Sequence, residues 1–330
     1  MGIGIAARRD EYCYRIIVRE EMAMHDLIIL GAGPAGMTAG VYAARKQLDT
    51  LIITENIGGQ TTWSAGIENY LGYTYITGPE LVAKFQDHLQ HFSLRVEYAK
   101  VTRFCKVEGG FQAETEDARE FQARSAVLAT GKSPRMLHVP GEREFRGKGV
   151  TYCSTCDAPL FAGMEVAVVG GGNSGADAAI QLMRITPKVY LLEIAPDLRA
   201  DAALQEKIRG AHNVEILVNT KPKEVFGDVM VTGIKVENVE TGEKRNLKVR
   251  GVFVEIGLEP NTGFLDGLVR LNRYGEVPVN CAAETGVPGL FAAGDVTDVP
   301  EKQIIIAAGD GAKAALGAYS YLVRLPSEKV

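Results

Sequence analysis

Cysteine is scarce in this chain. Its 330 residues hold five: Cys13, Cys105, Cys153, Cys156 and Cys281. So few thiols, and an odd number of them, exclude a secreted disulfide framework and point to a reducing, cytoplasmic compartment. Cys105 and Cys281 sit singly in apolar, strand-like surroundings and read as small buried hydrophobes. Long apolar runs are also missing. None reaches the roughly 18 residues of a spanning helix, so no membrane segment is expected. Positive charge is not in excess. A net charge of -5 gives no electrostatic reason to expect nucleic acid or an anionic membrane as partner. The N-terminus lacks an apolar core followed by a small-residue cleavage site, so it is a poor signal peptide. Residues 1–23 read as an appendage, a disordered arm or an over-extended gene start with Met22 or Met24 as alternative starts.

What is present is the composition of an ordinary folded protein, 46% hydrophobic and 23% charged, long enough for about two domains. An internal repeat organises it. "DLIILGAGPAGMTAGVYAAR" (26–45) and "EVAVVGGGNSGADAAIQLMR" (165–184) share one pattern: an apolar run, G-x-G-x-x-G, then an alanine-rich helix. A second echo places "AVLATGKSPR" (126–135) over "VFVEIGLEPN" (252–261), matching Gly131 with Gly257 and Pro134 with Pro260. Downstream, "GLFAAGD" reads as a strand ending at Gly294–Asp295, and a long helix begins near Ile304. This closing strand and helix follow the second copy but are lacking from the first. The second copy therefore reads as inserted into the first. The expected fold is α/β, two Rossmann-like three-layer domains: 24–132 with 259–330, and 133–258 between them. Residues 94–125 read as a small antiparallel meander, and 214–250 repeat that character.

Each glycine motif follows a strand pattern and opens a helix pattern, the context that makes it a dinucleotide fingerprint. The first glycine permits the turn, the second lets a pyrophosphate approach, and the third packs helix on strand. The helix then offers unpaired N–H groups to the phosphates. In the first copy Glu55 ends its strand 19 residues past Gly36, where a carboxylate accepts from ribose hydroxyls. Asp295 suits a ribityl hydroxyl, and the helix start after it suits an electron-rich flavin ring. Together these argue FAD in the first domain. In the second copy Glu193 ends its strand 18 residues past Gly175 and would repel a 2′-phosphate. Ile194 and Ala195 beside it are apolar and only Arg199 is near, so NADH is favoured over NADPH.

The five cysteines include one close pair, in "TYCSTCDAPL" (151–160). Zinc needs four ligands, commonly as two pairs. No second C-x-x-C exists and no histidine pairs with a cysteine at metal spacing. A structural disulfide does not suit a reducing compartment. A redox dithiol suits the context, because a helix start at the pair would favour the thiolate and Asp157 stands ready as a proton donor or acceptor.

The set "GAGPAG", "GGQ" (58–60), "IENY" (67–70), "ATG", "CSTCD", "GGGNSG" and "AAGD…KQI" resembles the low-molecular-weight thioredoxin reductases over about residues 25–325. "LLEIAPDLRAD", "GLEPNTGFL" and "KQIIIAAGDGAKAAL" look closer still to the flavoprotein subunit of alkyl hydroperoxide reductase, without its N-terminal dithiol domain. With about 23 residues in that domain's place, the chain is expected to pass electrons to a separate protein. The resemblance implies that Cys156 lies against the flavin, Cys153 attacks the partner's disulfide and Asp157 is the acid. It carries FAD onto Gly31, Gly33, Pro34, Ala35, Gly36, Gly59, Gln60, Asn69, Thr130, Gly131, Gly294, Asp295, Lys302, Gln303 and Ile304. Lys302 keeps the charge of an arginine frequent there, but not its fork. The nicotinamide cofactor falls on Gly170, Gly172, Asn173, Ser174 and Gly175. Where NADPH-using members carry His-Arg-Arg, this chain has Glu193-Ile194-Ala195. Some relatives have given up nicotinamide for ferredoxin or a deazaflavin; the intact "GGGNSG" speaks for its use here.

The expected activity is transfer of electrons from NADH (or NADPH) through FAD to Cys153–Cys156 and on to a thioredoxin- or glutaredoxin-like protein. Because the dithiol and the nicotinamide site share one domain and need one flavin face, that domain must swing. A homodimer is expected from the resemblance. The alternatives are a peroxide-forming NADH oxidase, a ferredoxin- or deazaflavin-dependent reductase, and a flavin-bearing module whose dithiol only senses redox state.

Overall fold

The structure is a computed structural model that describes residues 24–326; the expectations for residues 1–23 and for Cys13 lie outside the described residues. The chain opens with β1 (Met24–Ala32), α1 (Pro34–Arg45), β2 (Thr50–Ile57), α2 (Gly78–His91), β3 (Arg95–Tyr98), β4 (Val101–Val107), β5 (Gly110–Thr115) and β6 (Glu120–Leu128). β1 is apolar on both faces because both are covered, the pattern of an interior parallel strand. Leu27 and Ile29 join a core with residues of α1 and of the last helix. Ile28 and Leu30 join a second core with Phe104 and Phe111 of the β4–β5 hairpin. Helices, sheet and hairpin thus make three layers. Each such side chain contributes about 1.5–3 kcal/mol by leaving water.

The sheet order is β3-β2-β1-β6-β5-β4. β3 pairs parallel with β2, so it does not belong to the expected meander. Only β4, β5 and the first half of β6 are antiparallel. The apolar second half of β6 pairs parallel with β1 and enters the main sheet.

A short strand, β7 (Lys132–Pro134), leads to the second unit: β8 (Val150–Thr151), α3 (Ser154–Asp157), β9 (Val166–Val169), α4 (Asn173–Leu182), β10 (Val189–Leu192), α5 (Ala202–Arg209), β11 (Val214–Leu217), β12 (Thr220–Gly227), β13 (Val231–Asn238), β14 (Lys244–Leu247) and β15 (Gly251–Val254). Its five-stranded sheet, β11-β10-β9-β15-β8, is parallel throughout, and β12-β13-β14 form the antiparallel layer. Val166 and Val168 face the helices, and Ala167 and Val169 face the antiparallel layer. The layering of the first unit is repeated.

The chain returns through β16 (Leu258–Pro260), β17 (Leu290–Ala292) and α6 (Ile304–Leu322). β16 pairs antiparallel with β7, so the two echoing connections lie side by side. β17 pairs parallel with β6 in the first sheet. The second unit is therefore inserted into the first. β17 ends before Gly294–Asp295, and Asp295 sits on a 3-10 turn instead of the strand end. Among the described residues no helix is long and apolar enough to cross a membrane. Cys281 is exposed and Cys105 only partly buried, against the expectation of two buried hydrophobes. Apolar neighbours in sequence do not bury a residue that ends up in a surface turn, as Cys281 does, or on the opposite face of β4 from the buried Phe104, as Cys105 does.

Candidate active site

The two glycine loops are built alike, and each fits a pyrophosphate. Gly31 and Gly170 adopt φ of 103° and 121°, which an L side chain resists. A Cβ at Gly36 would lie 1.9 Å from the Gly31 carbonyl oxygen, and one at Gly175 would lie 1.8 Å from that of Gly170. Gly33 and Gly172, at the mouths of α1 and α4, face open space. Neither helix start is capped by a side chain, so N–H groups there are free to meet an anion.

The first loop opens onto a cavity of about 1220 Å³. Its wall includes Gly31, Gly33, Pro34, Ala35, Glu55, Gly59, Gln60, Thr130, Gly131, Gly294, Asp295, Lys302, Gln303 and Ile304. Gly36 lies behind the loop, buried. Gln60 donates to the Lys132 carbonyl at 2.6 Å, and Thr130 to that of Asn261 at 2.8 Å. Asn69 is exposed and donates to Gln303 across 234 residues of chain. Gln303 precedes α6, whose start is also uncapped and faces the cavity. Burial raises the Asp295 pKa. Lys302 donates to the Thr297 carbonyl at 2.7 Å, and burial, then the charge of Lys132, lowers its pKa.

Cys153 and Cys156 line the same cavity, joined as a disulfide. α3 is a single turn, so the expected helix dipole is small. What acts directly on sulfur is the Cys156 N–H, which donates to Cys153 Sγ at 3.2 Å and would stabilise a thiolate there. The Thr151 hydroxyl donates to Asp157 Oδ2. Asp157 Oδ1 is buried without a hydrogen-bond partner among the described residues. Burial pushes the Asp157 pKa up to about 6, with the Thr151 bond opposing. A carboxyl so placed exchanges protons near neutral pH.

The structure adds residues that the sequence did not single out. Glu255, just past β15, also lines the cavity and accepts from the Ser154 N–H at 3.1 Å. Its only sequence signal was a carboxylate in an otherwise apolar strand. Trp63 packs beneath Arg146, whose guanidinium lies 4.3 Å from the indole centroid. The Tyr152 ring lies 6.4 Å from the same indole. Tyr152 donates to Glu142, and Glu142 accepts from the N–H groups of Leu137 and His138 in the connection after β7.

The second glycine loop does not line this cavity; Gly170, Gly172, Asn173, Ser174 and Gly175 lie elsewhere. Asn173 is tied to Asp201. Glu193 is only 1% exposed and sits beneath the loop, accepting from Gly171 N–H at 2.7 Å and Ala195 N–H at 2.8 Å. It is a buried brace of the loop more than a free strand-end carboxylate. Arg199 reaches its Oε2 at 3.4 Å with a side chain 69% exposed.

Known proteins of this architecture resemble the chain along most of its length. A Bacillus subtilis protein named NADH dehydrogenase is 44% identical over 299 residues, 91% of this chain and 59% of its own. A subunit of the Escherichia coli alkyl hydroperoxide reductase is 46% identical over 305 residues, 91% of this chain and 58% of its own. The chain thus spans about three-fifths of the length of these curated relatives. Thioredoxin reductase from Streptococcus pyogenes superposes with a TM-score of 0.87 at 38% identity, covering 91% of this chain and 99% of that one. Thioredoxin reductase from Lactococcus lactis in its FR conformation gives only 0.63 at 36% identity, covering 91% and 100%. The family described as pyridine nucleotide-disulphide oxidoreductase matches residues 25–311. With two glycine loops of one design and a disulfide on the cavity that the first of them lines, this chain belongs to the pyridine nucleotide-disulphide oxidoreductase family.

Proposed function

We propose that the chain is an FAD-dependent dithiol oxidoreductase of the thioredoxin reductase type. It would take electrons from NADH through FAD to Cys153–Cys156, and from there to the disulfide of a thioredoxin- or glutaredoxin-like protein. The observation that carries this reading is the shared cavity: the disulfide and the first glycine loop both line it. FAD, when bound, supplies the two-electron relay between nicotinamide and disulfide. Residues 24–132 with 259–330 form its domain, and residues 133–258 form the nicotinamide domain. The N–H groups beyond Gly33 and the uncapped start of α6 would hold its charged and electron-rich parts.

Cys153 is assigned as the attacking thiol, since a backbone N–H stabilises its thiolate, and Cys156 as the sulfur toward FAD. Asp157, oriented by Thr151, holds the proton that the dithiol gains and loses. The nicotinamide loop does not line the cavity that the dithiol occupies, so one site must leave before the other engages. The paired connections β7 and β16 are the natural hinge. Two solved reductases of nearly equal identity to this chain superpose very differently, as a swing of one domain would require. The enzyme is taken as a homodimer, as its sequence resemblance implies, and as cytoplasmic, as its few cysteines suggest.

Anaerobic mixing with NADH, NADPH and reduced ferredoxin in turn, followed by flavin bleaching, tests the donor. Fast bleaching by NADPH but not NADH overturns the assignment. The name of the Bacillus subtilis relative favours NADH. Residue 195 offers a second check. Ala195→Arg puts a guanidinium where a 2′-phosphate would lie, and charge-assisted hydrogen bonds are worth about 1.5–3 kcal/mol. The ratio of kcat/KM for NADPH over NADH is expected to rise roughly tenfold or more. An unchanged ratio would move the adenosine site away from Glu193.

A further inference from the structure

The dithiol faces two carboxyl groups, and only Asp157 has been given a task. Glu255 follows the last residue of β15, and its backbone is fixed by the first glycine of the second loop. A Cβ at Gly170 would lie 2.3 Å from the Glu255 carbonyl oxygen, so the two segments are in close contact. From this rigid base the side chain reaches the turn between the two cysteines, accepting the Ser154 N–H. It lines the cavity together with Cys153, Cys156 and Asp157. Among the described residues no lysine, arginine or histidine forms an ion pair with it; of the cations in the neighbouring connections, Lys132 pairs with Glu276 and Arg135 with Glu259. Of the charges around it, Asp177 on α4 acts on it by repulsion, and the cavity wall that it shares with Asp157 of α3 also carries the cations Lys100, Lys132, Arg146 and Lys302.

We propose that Glu255 is a positioning residue and second proton station of the dithiol, holding the turn that carries Cys156 and taking up a proton when the disulfide is reduced. This rests on reading Cys153–Cys156 as a redox pair. The disulfide is neutral and does not repel an ionised Glu255. Beside a nascent thiolate it is repelled, so reduction raises its proton affinity. Burial, more than the charge of Asp177, already pushes its pKa up to about 7, within reach of such coupling.

The step balances with dithiothreitol as reductant. The Cys153–Cys156 bond breaks, two electrons enter the pair, and dithiothreitol closes to its cyclic disulfide. Of the two protons it releases, one goes to a thiol. Above neutral pH the other goes to Glu255 and leaves a thiolate. The sign follows. Below about pH 6 Glu255 is neutral in both redox states and contributes nothing to the equilibrium. Above about pH 8 it is ionised in the disulfide form, and its ionisation opposes reduction.

The test is the redox equilibrium of the FAD-loaded protein in air-free dithiothreitol buffers, read by thiol alkylation and mass spectrometry, without nicotinamide or protein acceptor. Glu255→Gln keeps an Oε1 for Ser154 and removes the charge. Its disulfide is expected to be reduced about tenfold more readily than wild type near pH 8.5, for one pKa unit of coupling. The two should agree near pH 5.5, and Glu255→Asp should restore the wild-type pH dependence. An offset of equal size at both pH values would reduce Glu255 to a structural cap, and no offset at either would remove it from the redox step. A wild-type pair that dithiothreitol cannot reduce would overturn the dithiol reading along with it.

Discussion

Cys153→Ser is expected to abolish reduction of a protein disulfide while leaving NADH-driven bleaching of the flavin intact. The fall in turnover should be about 10³-fold or more, the scale on which loss of a covalent catalytic group slows an enzyme. The serine cannot form a mixed disulfide, yet residue 153 belongs to neither glycine loop, so both nucleotide sites survive. Cys156→Ser should differ in kind. It leaves Cys153 able to attack a partner but unable to resolve, and a covalent complex with a thioredoxin-like protein should accumulate on a non-reducing gel. The pair of variants also separates the alternatives. A peroxide-forming oxidase would keep its oxygen consumption in Cys153→Ser. Full activity of that variant toward thioredoxin would sink the proposed function.

The second large effect comes from the paired glycines. In Gly36→Val the new Cβ would meet the Gly31 carbonyl oxygen at 1.9 Å, and the first loop must deform. FAD affinity should fall by roughly 100-fold or more, about 2.7 kcal/mol, seen as protein that leaves gel filtration without flavin absorbance. Gly175→Val deforms the second loop in the same way, with 1.8 Å to the Gly170 oxygen. It should retain its flavin but resist bleaching by NADH. Each variant controls for misfolding of the other. Flavin lost from Gly175→Val and kept in Gly36→Val would exchange the two nucleotide assignments.

Much of this site is legible in the chain because it is made by local rules. A loop that must turn at Gly31, admit a ligand at Gly33 and pack at Gly36 announces itself within six residues, and its repetition at 170–175 announces the second. The insertion is legible for a similar reason: β17 and α6 have no counterpart in the first copy. Other features depend on the tertiary fold alone. Glu255 meets Ser154 across 101 residues, joined only because β15 and β8 are neighbours in the second sheet. β3 escapes a sequence reading because a four-residue strand carries no mark of whether its partner runs parallel. Cys281 escapes it because the loop that carries the residue decides its exposure. Glu193 has the right position, but its burial beneath Gly171 depends on the loop closing over it.

Trp63 is the sole tryptophan of the chain. It projects from a 3-10 turn beside the first glycine loop and is covered by Arg146 and Tyr152 from the inserted unit. The protein thus carries a single indole at the joint between its two halves, which excitation beyond the absorption of its 12 tyrosines selects, and needs no label to reveal their relative position. A swing that carries the dithiol outward strips the guanidinium from the indole and admits water, so the emission should shift to the red. Trapping Cys156→Ser as a mixed disulfide with a thioredoxin-like partner should hold that red-shifted state. An emission spectrum indifferent to trapping would mean that the clamp stays shut while electrons leave.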